Sequence, residues 1–239
     1  HLAMGDLDGA IAEAEKRLQL EGTAEARLEL AALYARKRVS AKAEPLYQTV
    51  LKEKPEDLAA ALGLADLYLA KGNYAAAEKV LGVAKDRHPD DTGVLSRLGV
   101  LHSRRGRPDL ALSELEQLVR RDPTQLEAKA ELGSLYFRGG DPDTALKVLK
   151  SVLATDSRQP LAHMYLVDMV VHGWDLARAT GQRYEPEPEA VARALDFTGR
   201  MVEMGRQRGA FGPPVAVPDD APAFDRLLGV IGRDPAWTP

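Results

Sequence analysis

The 239-residue sequence predicts an all-α protein built by stacking antiparallel helix pairs. Three observations predict this class. The chain carries a 34-residue internal period, the apolar residues inside each period recur at helical spacing, and 28% of residues are charged while only 5% are aromatic. A charge-rich, aromatic-poor composition suits helices with solvated faces better than a β-sandwich. The length gives room for one or two domains and a sizeable core.

Proline sets the ruler. Pro55, Pro89 and Pro123 are each 34 apart, and alanine repeats the interval at Ala43, Ala77, Ala111 and Ala145. A small residue recurs at Ala31, Ala65, Gly99 and Gly133, each preceded by leucine (Leu30, Leu64, Leu98, Leu132). Tyr34, Tyr68, His102 and Tyr136 follow three positions after it, and Tyr47, Leu81, Leu115 and Leu149 come four after the alanine. Leucine, small residue and tyrosine then share one face of a first helix. The small residue admits a second helix closely, and the alanine of that helix meets it at the crossing, where a larger side chain would overpack. Proline stands where the second helix cannot continue. Between paired helices, Gly72-Asn73, Gly106-Arg107-Pro108 and Gly140-Asp141-Pro142 supply left-handed C-caps, an N-cap and first-turn prolines.

These units resemble tetratricopeptide repeats, whose pattern is Leu-Gly and tyrosine, then alanine and a large residue, then proline. Four units are placed at 24–57, 58–91, 92–125 and 126–159; Ser157 replaces the fourth proline, and the family tryptophan is absent. The resemblance implies a right-handed superhelical solenoid with a concave groove lined by first helices. Members of one subgroup grip a C-terminal carboxylate with lysine and asparagine pairs. Leu28, Ala32, Leu62 and Asp66 occupy those places, so this clamp is not expected.

The ends depart from the period. Residues 1–23 read as the end of a truncated repeat: His1-Leu-Ala-Met-Gly5-Asp6 aligns with Tyr68-Leu-Ala-Lys-Gly72-Asn73, and Ala10 takes the crossing position. Residues 160–208 read as a degenerate fifth unit. Leu166, Val167 and Val170 hold its core, and the pattern resumes at Val191, Leu195, Thr198 and Val202 after about 12 inserted residues that include Trp174, Arg178, Arg183 and Tyr184. The insert reads equally as a lengthened helix with a stiff loop or as a functional element. Residues 209–239 form a proline-rich linker and a short amphipathic helix presenting Phe224, Leu228 and Ile231. This tail would cap the array, fold back into the groove, or act as a recruitment motif.

Chemistry is sparse. No cysteine is present, and no phosphate-binding loop, dinucleotide fingerprint, zinc-protease or hydrolase motif occurs. No enzyme, cofactor or metal is therefore expected. The net charge of −4, with signs interspersed, argues against nucleic acid, and no apolar run is long enough to insert in a membrane. The expected function is a scaffold or adaptor gripping a protein or peptide partner in the groove. Apolar anchors would lie near Leu69 and Phe137, and Leu62, Asp66, Val100, Ser134, Met164 and Asp168 would line the groove beside them. Arg97, Arg104 and Arg138 would pair with acidic groups of the partner. The alternatives are a self-assembling structural protein, hence a homo-oligomer, and a docking arm of a larger enzyme. Alanine-rich helices and arginine over lysine suggest a bacterial source, with pilus, secretion, motility or envelope assembly as settings. Cytoplasm and periplasm stay open.

Overall fold

The structure is a computed structural model and describes residues 4–238; among these all regular structure is helical, in twelve helices. The helices gather in two compact units, His1–Pro123 and Thr124–Pro239.

In unit 1, α1 (Met4–Glu21) packs on α2 (Ala24–Arg36), and three pairs follow: α2 with α3 (Ser40–Glu53), α4 (Leu58–Ala70) with α5 (Tyr74–Arg87), and α6 (Thr92–Arg104) with α7 (Pro108–Arg121). Thr23, Asp57 and Asp91 start the first helices, their side chains accepting from the backbone N–H of Ala26, Ala60 and Val94 at 3.2, 2.8 and 2.9 Å. Each such cap stabilises its helix by about 1 kcal/mol. The first helices stop on a shared device. The carbonyls of Tyr34, Tyr68 and His102 accept from the N–H five residues on, each at 2.9 Å, after a residue in the left-handed region. That residue is Gly72 or Gly106 in two units but Arg38, at φ 61°, in the first.

The crossings are tight. Ala31, Ala65, Ala43, Ala77 and Ala111 have no exposed surface. A β-carbon on Gly99 would lie 2.6 Å from Leu115 Cδ2. The small residue therefore meets the leucine four positions after the alanine, and the alanine is buried beside it. α1 begins at Met4, so Gly5 and Asp6 lie inside a helix and not in the expected turn; residues 1–3 of that alignment fall outside the described residues.

In unit 2, α8 (Leu126–Arg138) pairs with α9 (Pro142–Thr155), and α10 (Pro160–Thr180) packs on both. α10 continues through the expected turn for 21 residues and ends at Gly181, φ 68°. A loop at 182–187 leads to α11 (Pro188–Gln207), and α12 (Ala223–Ile231) packs on α11. One core joins Leu149, Leu166, Val170, Trp174 and Val191 to Leu227, Leu228 and Ile231 of α12. The stretch between α11 and α12 is held to α12, with the N–H groups of Gly212 and Val215 donating to Ile231 and Gly229 carbonyls at 3.1 and 3.0 Å. The Arg233 guanidinium grips the Asp175 carboxylate at 3.1 and 2.9 Å, and Arg178 donates to the Pro235 carbonyl at 3.1 Å.

Candidate protein-binding site

The expected binding residues divide between the units. In unit 1 the first helices α2, α4 and α6 lie side by side, and most of the expected groups are engaged within the chain. Arg97 on α6 forks onto Asp66 of α4, Nε to Oδ1 at 2.7 Å and Nη2 to Oδ2 at 2.6 Å, and also donates to the Gly93 carbonyl at 3.1 Å. Leu62 covers Gly93, where a β-carbon would come within 3.0 Å of its Cδ1. Two expectations need correcting. Leu69 is not an exposed anchor: it is 7% exposed, in the core with Leu98 and Leu101, because neighbouring first helices pack closely enough to enclose it. Arg97 does not stand free for a partner's acid, since Asp66 holds it. Arg104 is exposed but donates one hydrogen bond to the Leu69 carbonyl at 3.1 Å, and Val100 stays open.

Unit 2 differs. α10 has 21 residues against 13 in α8, an excess of about 12 Å at ~1.5 Å per residue. The overhanging turns, the start of α9 and the 182–187 loop enclose a cavity of about 440 Å³. Phe137, Leu146, Met169, Leu176 and Tyr184 give it apolar lining, and Asp143, His172 and Glu185 give it polar edges. The loop is pinned by Tyr184, whose ring lies on Gly173 and whose hydroxyl donates to the Met169 carbonyl at 3.4 Å; a β-carbon at Gly173 would sit 2.5 Å from the ring. Burial pushes the Tyr184 phenol up to about 12, so it stays protonated as donor. Leu176 is 64% exposed at the mouth.

Of the residues expected here, Phe137 lines this cavity, Ser134 is half-buried and Arg138 is exposed on α8. Met164 and Asp168 face a second hollow, between α10 and α11. Crowding by its surroundings pushes the Asp168 carboxyl up, against a smaller opposing pull from His172. Leu146, Met169 and Leu176 were not anticipated. Leu176 carried a legible signal, an apolar residue in the stretch where the period breaks. The tail does not fill the first-helix face with Phe224 and Leu228: Leu228 is buried in the core, and Phe224 tilts against Tyr184 at 6.0 Å between ring centres.

Antiparallel pairs with small-residue crossings and a 34-residue rise define a helical-repeat scaffold, a class that presents extended binding surfaces. The family profile described as tetratricopeptide repeat matches residues 40–98 and 104–166, a little over half of the chain, and the chain belongs to that family. A search of curated proteins by sequence matched none. Among solved structures, YrrB, titled a TPR protein with an unusual peptide-binding site, aligns with TM-score 0.63 and 19% identity, over 82% of this chain and 97% of its own. A tetratricopeptide repeat protein from Parabacteroides merdae ATCC 43184 aligns at 0.65 and 14% identity, over 95% and 93%. MamA from Desulfovibrio magneticus RS-1 aligns at 0.58 and 19%, over 65% and 88%. At these identities the likeness is one of fold: an all-α tetratricopeptide solenoid. No helix among the described residues is long and apolar enough to cross a membrane.

Proposed function

We propose that the chain is an adaptor that binds a peptide segment of a partner protein through unit 2. The segment runs along the face of α8 and α10 and seats an apolar side chain under the overhang. The observation that carries this reading is the cavity itself. Its roughly 440 Å³ falls in the range of formed ligand sites, about 300–1,000 Å³, and its lining is mostly apolar with a few polar groups at the edge. Phe137 and Leu176 serve as the apolar contacts, and Arg138 is placed to meet an acidic residue of the segment. The setting we infer is a bacterial multiprotein assembly. The bacterial relatives in fold support it, as does the arginine-rich, alanine-rich composition.

The test is capture of partners from source-cell lysate by the chain beside two variants, Leu176→Glu at the cavity mouth and Leu110→Glu at another exposed position, on α7 in unit 1. A protein retained by the parent and by Leu110→Glu but lost by Leu176→Glu supports the reading. Retention by all three places recognition outside the cavity and overturns it.

A further inference from the structure

The repeats contain their own rule for what lies on a helix pair. The pair α2/α3 receives α4 on both of its helices, α4/α5 receives α6, and within unit 2 α8/α9 receives α10. At the α4/α5 and α8/α9 junctions the fifth residue of the first helix packs toward the incoming helix. Leu62 lies on Gly93, and Ala130 is fully buried in the core that contains α10. The ninth residue makes the polar contact where it is an acid, as when Asp66 takes the guanidinium of Arg97 from the incoming α6.

The last pair, α10/α11, breaks this rule. α12 is nine residues long and packs on α11, where Leu227 and Leu228 join the core. The strip beside the start of α10 stays open as a trough of about 270 Å³ lined by Met164, Val167, Phe197, Met201, Met204 and Phe211. Met164 is 47% exposed and Met204 36%. Methionine at three places gives an apolar wall that adapts its shape to what it receives. Met164 is the fifth residue of its first helix, the position of Leu62, and Asp168 is the ninth, the position of Asp66. Asp168 makes no salt bridge among the described residues, and neither does Arg208 at the far rim of the trough.

We propose that this trough is a docking site for an amphipathic helix of a partner protein. That helix presents an apolar stripe to the three methionines, a basic side chain to Asp168 and an acidic one to Arg208. The charge of the occupant is read from the internal precedent: Asp168 stands where Asp66 stands, and Asp66 is met by an arginine. The site is separate from the overhang cavity and does not depend on it.

The chain supplies its own probe, a stapled peptide of Thr92–Arg104, the helix that delivers Arg97 to Asp66. The chain has five methionines, and ¹³C-methyl spectra of them read the binding place directly. Addition of the peptide is expected to shift Met164, Met201 and Met204 and to leave Met169, in the overhang cavity, and Met4, in unit 1, unmoved. A peptide carrying Arg97→Glu should bind at least about tenfold more weakly, a loss of ~1.4 kcal/mol. Asp168→Arg in the protein should reverse that preference, and since Asp168 is exposed the variant is expected to fold. No methyl shift at about 1 mM peptide, equal binding of both peptides, or shifts confined to Met169 would overturn the proposal. Shifts of the three methionines on concentrating the protein alone would place a second copy in the trough and also overturn it.

Discussion

Unit 1 and unit 2 use the same helix pair to opposite ends. In unit 1 each repeat satisfies the next. Arg97 takes Asp66, and Lys71 and Arg105, 34 residues apart, reach back to Glu44 and Glu78 on the preceding second helices. Of the groups expected to bind there, Asp66, Leu69, Arg97 and Arg104 all have internal partners. In unit 2 the period is broken by a long α10, and the break leaves a cavity, a trough and the exposed side chains of Arg138, Met164 and Leu176. Regular stacking consumes the side chains that binding would need, whereas an interruption in the stacking frees them.

The sharpest way to break this contrast is to unfold one unit and watch the other. Leu149 and Leu81 hold the same position in the two units, each with no exposed surface. Either Leu→Ala substitution is expected to cost about 2–5 kcal/mol. Both tryptophans, Trp174 and Trp237, belong to unit 2. With Leu149→Ala, the fluorescence transition in urea should move to lower denaturant and precede the loss of helical circular dichroism. Coincident curves would mean that the units unfold together, and the comparison would lose its energetic basis.

A smaller effect concerns how unit 2 holds its tail. Burial raises the Asp175 carboxyl, but the Arg233 fork outweighs it and keeps the group below its ordinary value of 3.8, with help from His172. The sign follows from the depressed value. The contribution is complete above 3.8 and is lost as pH falls through the lower, folded-state value. Acid titration of tryptophan emission, with Trp237 close to Arg233 in sequence, should show a step in this range that Arg233→Gln removes. A step unchanged by the substitution would detach Asp175 from the tail's anchoring.

The smallest effect lies in unit 1. Arg38 adopts a left-handed conformation that costs an L-residue ~1–2 kcal/mol, and glycine there gives back ~0.5–1 kcal/mol in chain entropy. Arg38→Gly should therefore stabilise unit 1 by about 0.5–1 kcal/mol, read as a later circular dichroism transition with tryptophan emission unmoved.

The fold was legible because its determinants are local and repeated. Glycine turns, Asp91 as a cap and the crossing alanines act over a few residues, and a 34-residue ruler places each of them several times. The site was legible only in part. Leu69 reads as exposed from its own helix, and its burial depends on how closely the next first helix approaches. The Arg97–Asp66 pair spans 31 residues, and single-helix periodicity carries no information at that range. In unit 2 the end of α10 is marked by Gly181, but Tyr184 finds Gly173 only when the loop turns back. Phe137, Met164 and Asp168 were visible because they sit at repeat positions; Leu176 was marked only by the break in the period, and Leu146 by nothing local, because its role depends on the overhang of α10.

Interchangeable parts raise a problem of order, since any second helix could in principle receive any first helix. Tyr47 and Gly63 address it. The ring of Tyr47 on α3 occupies the space a β-carbon on Gly63 of α4 would need, 2.4 Å from its Cζ. The residues at the same place in the other units are Glu29, Arg97 and Glu131, each carrying the β-carbon that Gly63 lacks, and α5, α7 and α9 carry leucine where Tyr47 stands. The pair works as a key cut for one lock: it lets α3 accept α4 and penalises docking shifted by a whole repeat.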